Sequence, residues 1–154
     1  MPGILVVDDE PLQRDILKTI LEDCGYEIRT ASSGEDAVKI SREFNPDIIL
    51  TDLKLGGMNG VELLGEVRKD EIVPAVIIMT AYGTVSSAVE AMKKGAFDYL
   101  TKPLDKDIVL LTVKRALERT ELLKENQQLH KALFDRFKIE GIIGNSKKMT
   151  EAVE

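Results

Sequence analysis

The 154-residue chain has one cysteine, one histidine, no apolar run near membrane length and no excess of positive charge. Each scarcity excludes something. Cys24 has no second thiol to pair with inside the chain, so a disulfide framework is excluded and a reducing cytoplasm is the expected location. The longest apolar stretches fall well short of the roughly 18 residues a membrane span needs. The opening Met1-Pro2-Gly3-Ile4-Leu5-Val6-Val7 has neither the basic start nor the long apolar stretch of a secretion signal. The formal net charge of −6 argues against a general nucleic-acid-binding surface and direct nucleic-acid contact. The single histidine, His130, lies on a polar helical stretch, where solvated surface is the expected role rather than phosphoryl donation. No G-x-x-x-x-G-K-[ST] loop is present, so this chain carries no ATP hydrolysis of that kind.

What is present is a fivefold alternation. Apolar runs rich in β-branched residues occur at Ile4 to Val7, Tyr26 to Ala31, Asp47 to Thr51, Ala75 to Met79 and Phe97 to Leu100. Ile48-Ile49-Leu50 and Val76-Ile77-Ile78-Met79 lack polar alternation, as strands buried on both faces of a parallel sheet should. Between the runs the apolar period becomes helical. One stripe holds Leu12, Ile16, Leu17, Ile20 and Leu21; a second holds Ala37, Ile40 and Phe44. Val61, Leu64 and Val67 make a third, and Val85, Ala88, Val89 and Met92 a fourth. Gly25 and Gly95 stand where helices should end in a left-handed residue. This pattern predicts an α/β fold, a doubly wound parallel sheet with helices on both faces and right-handed crossovers.

From Asp105 no strong breaker appears until Gly141, which predicts a last helix of roughly 30 residues extended into a linker. Its first turns, with Ile108, Leu111 and Val113, should pack on the sheet. Further on, Leu122, Asn126, Leu129 and Leu133 alternate spacings of four, three and four, the pattern of a short coiled-coil dimer seam with a polar interruption. The competing reading is a solvated solitary helix, favoured by Gln127, Gln128 and Lys131. Beyond it, Asn145 or Ser146 suits the cap of a helix beginning at Lys147. That helix would be cut at Glu154 in mid-pattern, so the chain is expected to be a fragment of a longer protein.

Ligands of open α/β sheets bind beyond the carboxyl ends of the strands. Asp8, Asp9, Asp52, Thr80 and Lys102 all fall there. Taken singly, each has an ordinary explanation as a cap, a solvated loop residue or surface charge. Taken together, three carboxylates at one sheet end repel one another unless a positive charge joins them. A hard divalent cation such as Mg²⁺ suits oxygen donors of this kind. Lys102 and the Thr80 hydroxyl could meet phosphoryl oxygens. The inferred chemistry is phosphoryl transfer to a carboxylate, giving an aspartyl phosphate.

Asp8-Asp9, Asp52, Thr80-Ala81 and Lys102-Pro103 resemble the signature set of response-regulator receiver domains, over about residues 3 to 120. The resemblance implies a flavodoxin-like fold with a five-stranded sheet in the order 2-1-3-4-5. It implies Asp52 as phosphoacceptor, and Asp8 and Asp9 as Mg²⁺ ligands, directly or through water. The backbone carbonyl of Lys54 would also reach the metal, with Thr80 the switch hydroxyl and Tyr99 the switch aromatic. The family often has proline where Gly56 stands, which bears on the stiffness of that loop and not on its chemistry.

A narrower resemblance joins Phe97 to Leu104 with receivers of the nitrogen-regulator class. Ile142 to Met149 is similar to the opening of the sigma-54-interacting AAA+ ATPase domain that follows such receivers. Three regions are therefore expected: a receiver over 1–120, a helical linker over 121–140 and the start of an AAA+ domain over 141–154. The implied partners are a sensor histidine kinase, a second copy of the chain and the downstream ATPase. Two alternatives stand beside this reading: a metal-dependent aspartyl-phosphate phosphatase and a degenerate receiver that only dimerises. The first needs an acid close after the nucleophile, where Lys54 stands; the second leaves all five site residues unexplained.

Overall fold

A computed structural model gives the architecture. It describes residues 2–81 and 84–142; side chains of the last helix are described to Asn126, Lys124 excepted, and at Leu129. Strands and helices alternate as β1 (Gly3–Val7), α1 (Pro11–Asp23), β2 (Glu27–Ala31), α2 (Gly34–Phe44) and β3 (Ile48–Asp52). They continue as α3 (Gly60–Val67), β4 (Ala75–Thr80), α4 (Val85–Lys93), β5 (Asp98–Thr101) and α5 (Lys106–Ile142). All strand pairs are parallel and the order is β2-β1-β3-β4-β5, as the resemblance implied.

The unalternated apolar runs are explained by two cores, one on each face of the sheet. Successive strand side chains point to opposite faces. Leu5, Val7, Ile49, Val76 and Ile78 therefore enter one core with Ala37, Val38, Leu63, Leu64, Val67 and Ala91. Ile4, Val6, Ile48, Leu50, Ile77 and Met79 enter the other, against Leu17, Leu21, Val109, Val113 and Ala116. Each such aliphatic side chain, fully buried, contributes about 1.5–3 kcal/mol of transfer free energy. A polar residue within the central strands would forfeit that on one face or the other, so polar groups collect at the strand ends.

Local signals set the helix boundaries. Pro11 opens α1, where its missing N–H costs nothing. The Ser33 hydroxyl accepts from the Asp36 amide at the start of α2. Asn59 and Glu62 cap α3 reciprocally, and Thr84 and Ser87 do the same for α4. Gly25 and Gly95 take the expected positive φ, and Asn45 adopts it at the end of α2.

Two apolar stripes differ from the sequence expectation. On α4 only Ala91 is buried; Val85, Val89 and Met92 are 83%, 46% and 46% exposed. On α5, Val109, Thr112, Val113 and Ala116 face the core, while Ile108 and Leu111 are exposed. Both helices are turned by about one residue from the stripe with the largest side chains. The buried faces carry the smaller side chains, Ala91 on α4 and Val109, Thr112, Val113 and Ala116 on α5. Leu12 and Ile16 of α1 are exposed as well.

The chain divides into two units, Met1–Thr120 and Glu121–Glu154. In the second, helix continues to Ile142, and Leu122, Asn126 and Leu129 are exposed in the single chain. The Leu133 side chain and residues 143–154, including the stretch read as the start of an AAA+ domain, lie outside the described residues. No helix among the described residues is long and apolar enough to cross a membrane.

Candidate functional site at the carboxyl ends of the strands

The parallel register brings five strand ends level. Asp52 and Thr80 are the last residues of β3 and β4, and Asp8 and Lys102 come one residue after β1 and β5. Asp8 is wholly buried, Asp52 and Thr80 nearly so, while Asp9 is exposed. Lys102 joins the two buried acids: its Nζ donates to Asp8 Oδ2 at 3.2 Å and to Asp52 Oδ1's partner oxygen, Oδ2, at 3.1 Å. Oδ1 of Asp52 accepts from the Lys54 amide at 3.3 Å. Lys102 precedes a cis peptide to Pro103, and its own amide donates to the Thr80 carbonyl at 2.7 Å. The β4 and β5 ends are thereby tied to each other.

One ammonium serves two carboxylates. Burial pushes the Asp52 carboxyl above its ordinary value, and Asp8 adds to this; the hydrogen bond and charge of Lys102 oppose it without prevailing. For Lys102 burial alone would lower the value. Asp52 and then Asp8 outweigh it, and the ammonium is held above the ordinary lysine range. The two directions agree: the cation is over-served by anions, and the anions are under-served.

Ligand oxygens of Asp8, Asp9 and Asp52 lie within 4.8 Å of one another. The three carboxylates outnumber the one ammonium hydrogen-bonded to them, that of Lys102, so a divalent cation would meet an excess of acidic groups. All the donors are hard oxygens, with no histidine or thiolate among them. The set therefore fits Mg²⁺, with carboxylates meeting it directly or through retained waters.

The β3–α3 connection closes tightly over Asp52. The Gly60 amide donates to the Leu53 carbonyl at 2.9 Å, and a Cβ at position 60 would lie 2.7 Å from the Asp52 carbonyl oxygen. Only glycine lets α3 start this close to the end of β3. Glu35 Oε1 accepts from the Met58 amide at 3.2 Å, so α2 braces the loop that contains Gly56.

Sequence reasoning missed three contributors. Arg14 of α1 donates through a guanidinium nitrogen to the Asp8 carbonyl at 2.6 Å. Ser87 Oγ lies 2.8 Å from the Tyr99 hydroxyl and so holds the half-buried aromatic at α4. Glu35 is the third. A charged residue one turn into the helix after Asp8-Asp9 was a usable signal for Arg14. The other two depend on contacts between elements far apart in sequence, which periodicity does not encode.

Comparison with known proteins agrees with the fold. The regulatory protein AtoC of Escherichia coli K12 is 40% identical over 148 residues, 96% of this chain and 32% of its own length. The chain thus spans about a third of that curated relative. The receiver domain of a LuxO repressor protein from Vibrio parahaemolyticus superimposes with a TM-score of 0.76 at 34% identity, covering 80% of this chain and 95% of that one. The beryllofluoride-activated NtrC4 receiver domain, solved as a dimer, superimposes with a TM-score of 0.74 at 36% identity. It covers 78% of this chain and 99% of that one. The response regulator receiver domain family matches residues 4–114, and the chain belongs to that family.

Proposed function

We propose that Asp52 accepts a phosphoryl group from a sensor histidine kinase, and that the modification changes how two copies of the chain pair. The observation that carries this reading is the pair of hydrogen-bonded ion pairs from Lys102 to Asp8 and Asp52, with Asp9 completing the acidic cluster. Asp52 Oδ2, on the Lys102 side, is the nucleophilic oxygen in this scheme; Oδ1 stays with the Lys54 amide. When bound, Mg²⁺ would neutralise charge on the incoming phosphoryl group. Asp8, Asp9, Asp52 and the Lys54 carbonyl would hold it. Lys102 then exchanges its contact with Asp52 for a phosphoryl oxygen, a charge-assisted hydrogen bond. The Thr80 hydroxyl, at the neighbouring strand end, donates to another.

The chain is in this reading a stoichiometric acceptor that assists its own phosphorylation and dephosphorylation, rather than a turnover enzyme. The parent protein would act in the cytoplasm as a sigma-54-dependent transcriptional activator. Support comes from the resemblance of residues 97–104 and 142–149 and from the AtoC alignment, whose 148 residues extend past Thr120. Residues 1–120 would be the receiver, 121–140 the linker and dimer seam, and 141–154 the beginning of the ATPase domain.

Intact mass after incubation with acetyl phosphate and Mg²⁺ tests the assignment. One phosphoryl adduct is expected on the wild type and none on Asp52→Asn; an undiminished adduct on the variant places the acceptor elsewhere.

A further inference from the structure

Arg14 lies outside the five-residue signature, yet it completes the bonding of Asp8. The Asp8 amide donates to the Ala31 carbonyl at 3.2 Å. Its Oδ1 accepts from the Glu10 amide at 2.9 Å, and its Oδ2 from Lys102 at 3.2 Å. The last polar group, the Asp8 carbonyl, is buried with its residue and accepts from Arg14 at 2.6 Å. That carbonyl belongs to the peptide joining Asp8 to Asp9. Its orientation sets where the Asp9 main chain leaves, and hence where the exposed Asp9 carboxylate stands relative to Asp8 and Asp52. We infer that Arg14 is a positioning residue for the metal site, fixing the Asp8–Asp9 peptide so that the two carboxylates are preorganised for a divalent cation. The inference rests on the reading of the acidic cluster as a Mg²⁺ site.

Two effects of Arg14 oppose each other. Its charge, close to the carboxylates, repels a cation; its hydrogen bond holds their geometry. The guanidinium is bonded to a neutral carbonyl and is only partly buried, so solvent screens the repulsion. A buried carbonyl without its donor, by contrast, has no water to replace it and must turn to find a partner. Geometry therefore outweighs charge, and loss of Arg14 weakens cation binding instead of strengthening it.

The test measures Mn²⁺ and Mg²⁺ binding directly, by electron paramagnetic resonance and competition, with backbone nitrogen relaxation at Asp9 followed in the metal-free protein. Arg14→Ala is expected to weaken the cation about tenfold and to lower the order parameter of the Asp9 amide. Arg14→Lys, which keeps a donor and the charge, should recover part of both. Arg14→Gln serves as the neutral variant if alanine does not fold. Unchanged or tighter binding in the neutral variant, or an unchanged Asp9 order parameter, overturns the positioning role. A wild type that binds neither cation would instead overturn the metal site itself.

Discussion

The Tyr99 hydroxyl and Ser87 Oγ stand 2.8 Å apart, across the space between β5 and α4. Ser87 also accepts from the Thr84 amide, so the residue that anchors the aromatic is one that closes the first turn of α4. Movement of the Tyr99 ring away from α4 must break this contact. A resting-state hydrogen bond of this kind contributes about 0.5–1.5 kcal/mol.

Tyr99→Phe removes that bond and leaves the cap intact. The resting arrangement should lose its share of the stabilisation, and the affinity for beryllofluoride with Mg²⁺ should rise about 2–10-fold. Titration followed by NMR at α4 and β5 checks this; unchanged affinity would show that the hydroxyl bond does not bias the switch. Ser87→Ala should act in the same direction while also fraying α4.

The direction of the Asp52 shift gives a pH prediction for metal-free protein. A carboxyl held above its ordinary value binds its proton more tightly folded than unfolded. Stability contributed by that proton is present below the ordinary value and is lost as pH rises through the raised one. At neutral pH the ionised group is thus a cost, which Asp52→Asn removes. The variant should melt a few degrees above wild type at pH 7, since ~1 kcal/mol moves Tm by roughly 4 °C at this size. The gap should close as pH falls below the ordinary carboxylate range. A variant melting below wild type at pH 7 would contradict the assignment of burial as the winning effect.

Asp9 is the exposed member of the cluster, and its loss should spare the fold while damaging the metal site. Asp9→Ala is expected to weaken Mg²⁺ at least ~10-fold, with Tm changed little. Normal phosphorylation at ordinary Mg²⁺ would remove Asp9 from the site.

Pairing of two chains can be followed by crosslinks. Leu122 and Leu129 are 61% and 62% exposed in the single chain, as a seam waiting for its partner would be. Single cysteines placed at these positions, and along α4, in a Cys24→Ser background should crosslink in both states but with different patterns before and after phosphorylation. Cys24 must be removed because it is exposed. Thr80→Ala should accept phosphate yet keep the resting pattern. Identical patterns in both states of the parent would reduce the linker to a passive tether.

Strands and site were legible in the sequence for one shared reason. A strand buried on both faces has little room for polar residues before its end, so Asp8 and Thr80 stand out as the first polar residues after apolar runs, and Asp52 and Lys102 follow one threonine later. Helix orientation was less legible. Apolar period fixes that α4 and α5 have an inward face, but Val85, Val89 and Met92 outweigh Ala91 in any hydrophobicity count. Which face is inward is decided by how closely a backbone can approach the sheet, and that depends on residues of other elements. Glu35 and Ser87 were missed because their partners, a loop amide and a phenol, sit on elements distant in sequence and leave no local trace, whereas Arg14, six residues from Asp8, had a local signal that went unread.

The anchoring of Lys102 on Asp8 and Asp52 spans 94 and 50 positions of sequence. Its lysine comes from the end of β5, an edge strand hydrogen-bonded only to β4. No fragment lacking that edge can assemble the constellation, however well its remaining strands pair. The cluster is therefore complete only when the outermost strand is in place.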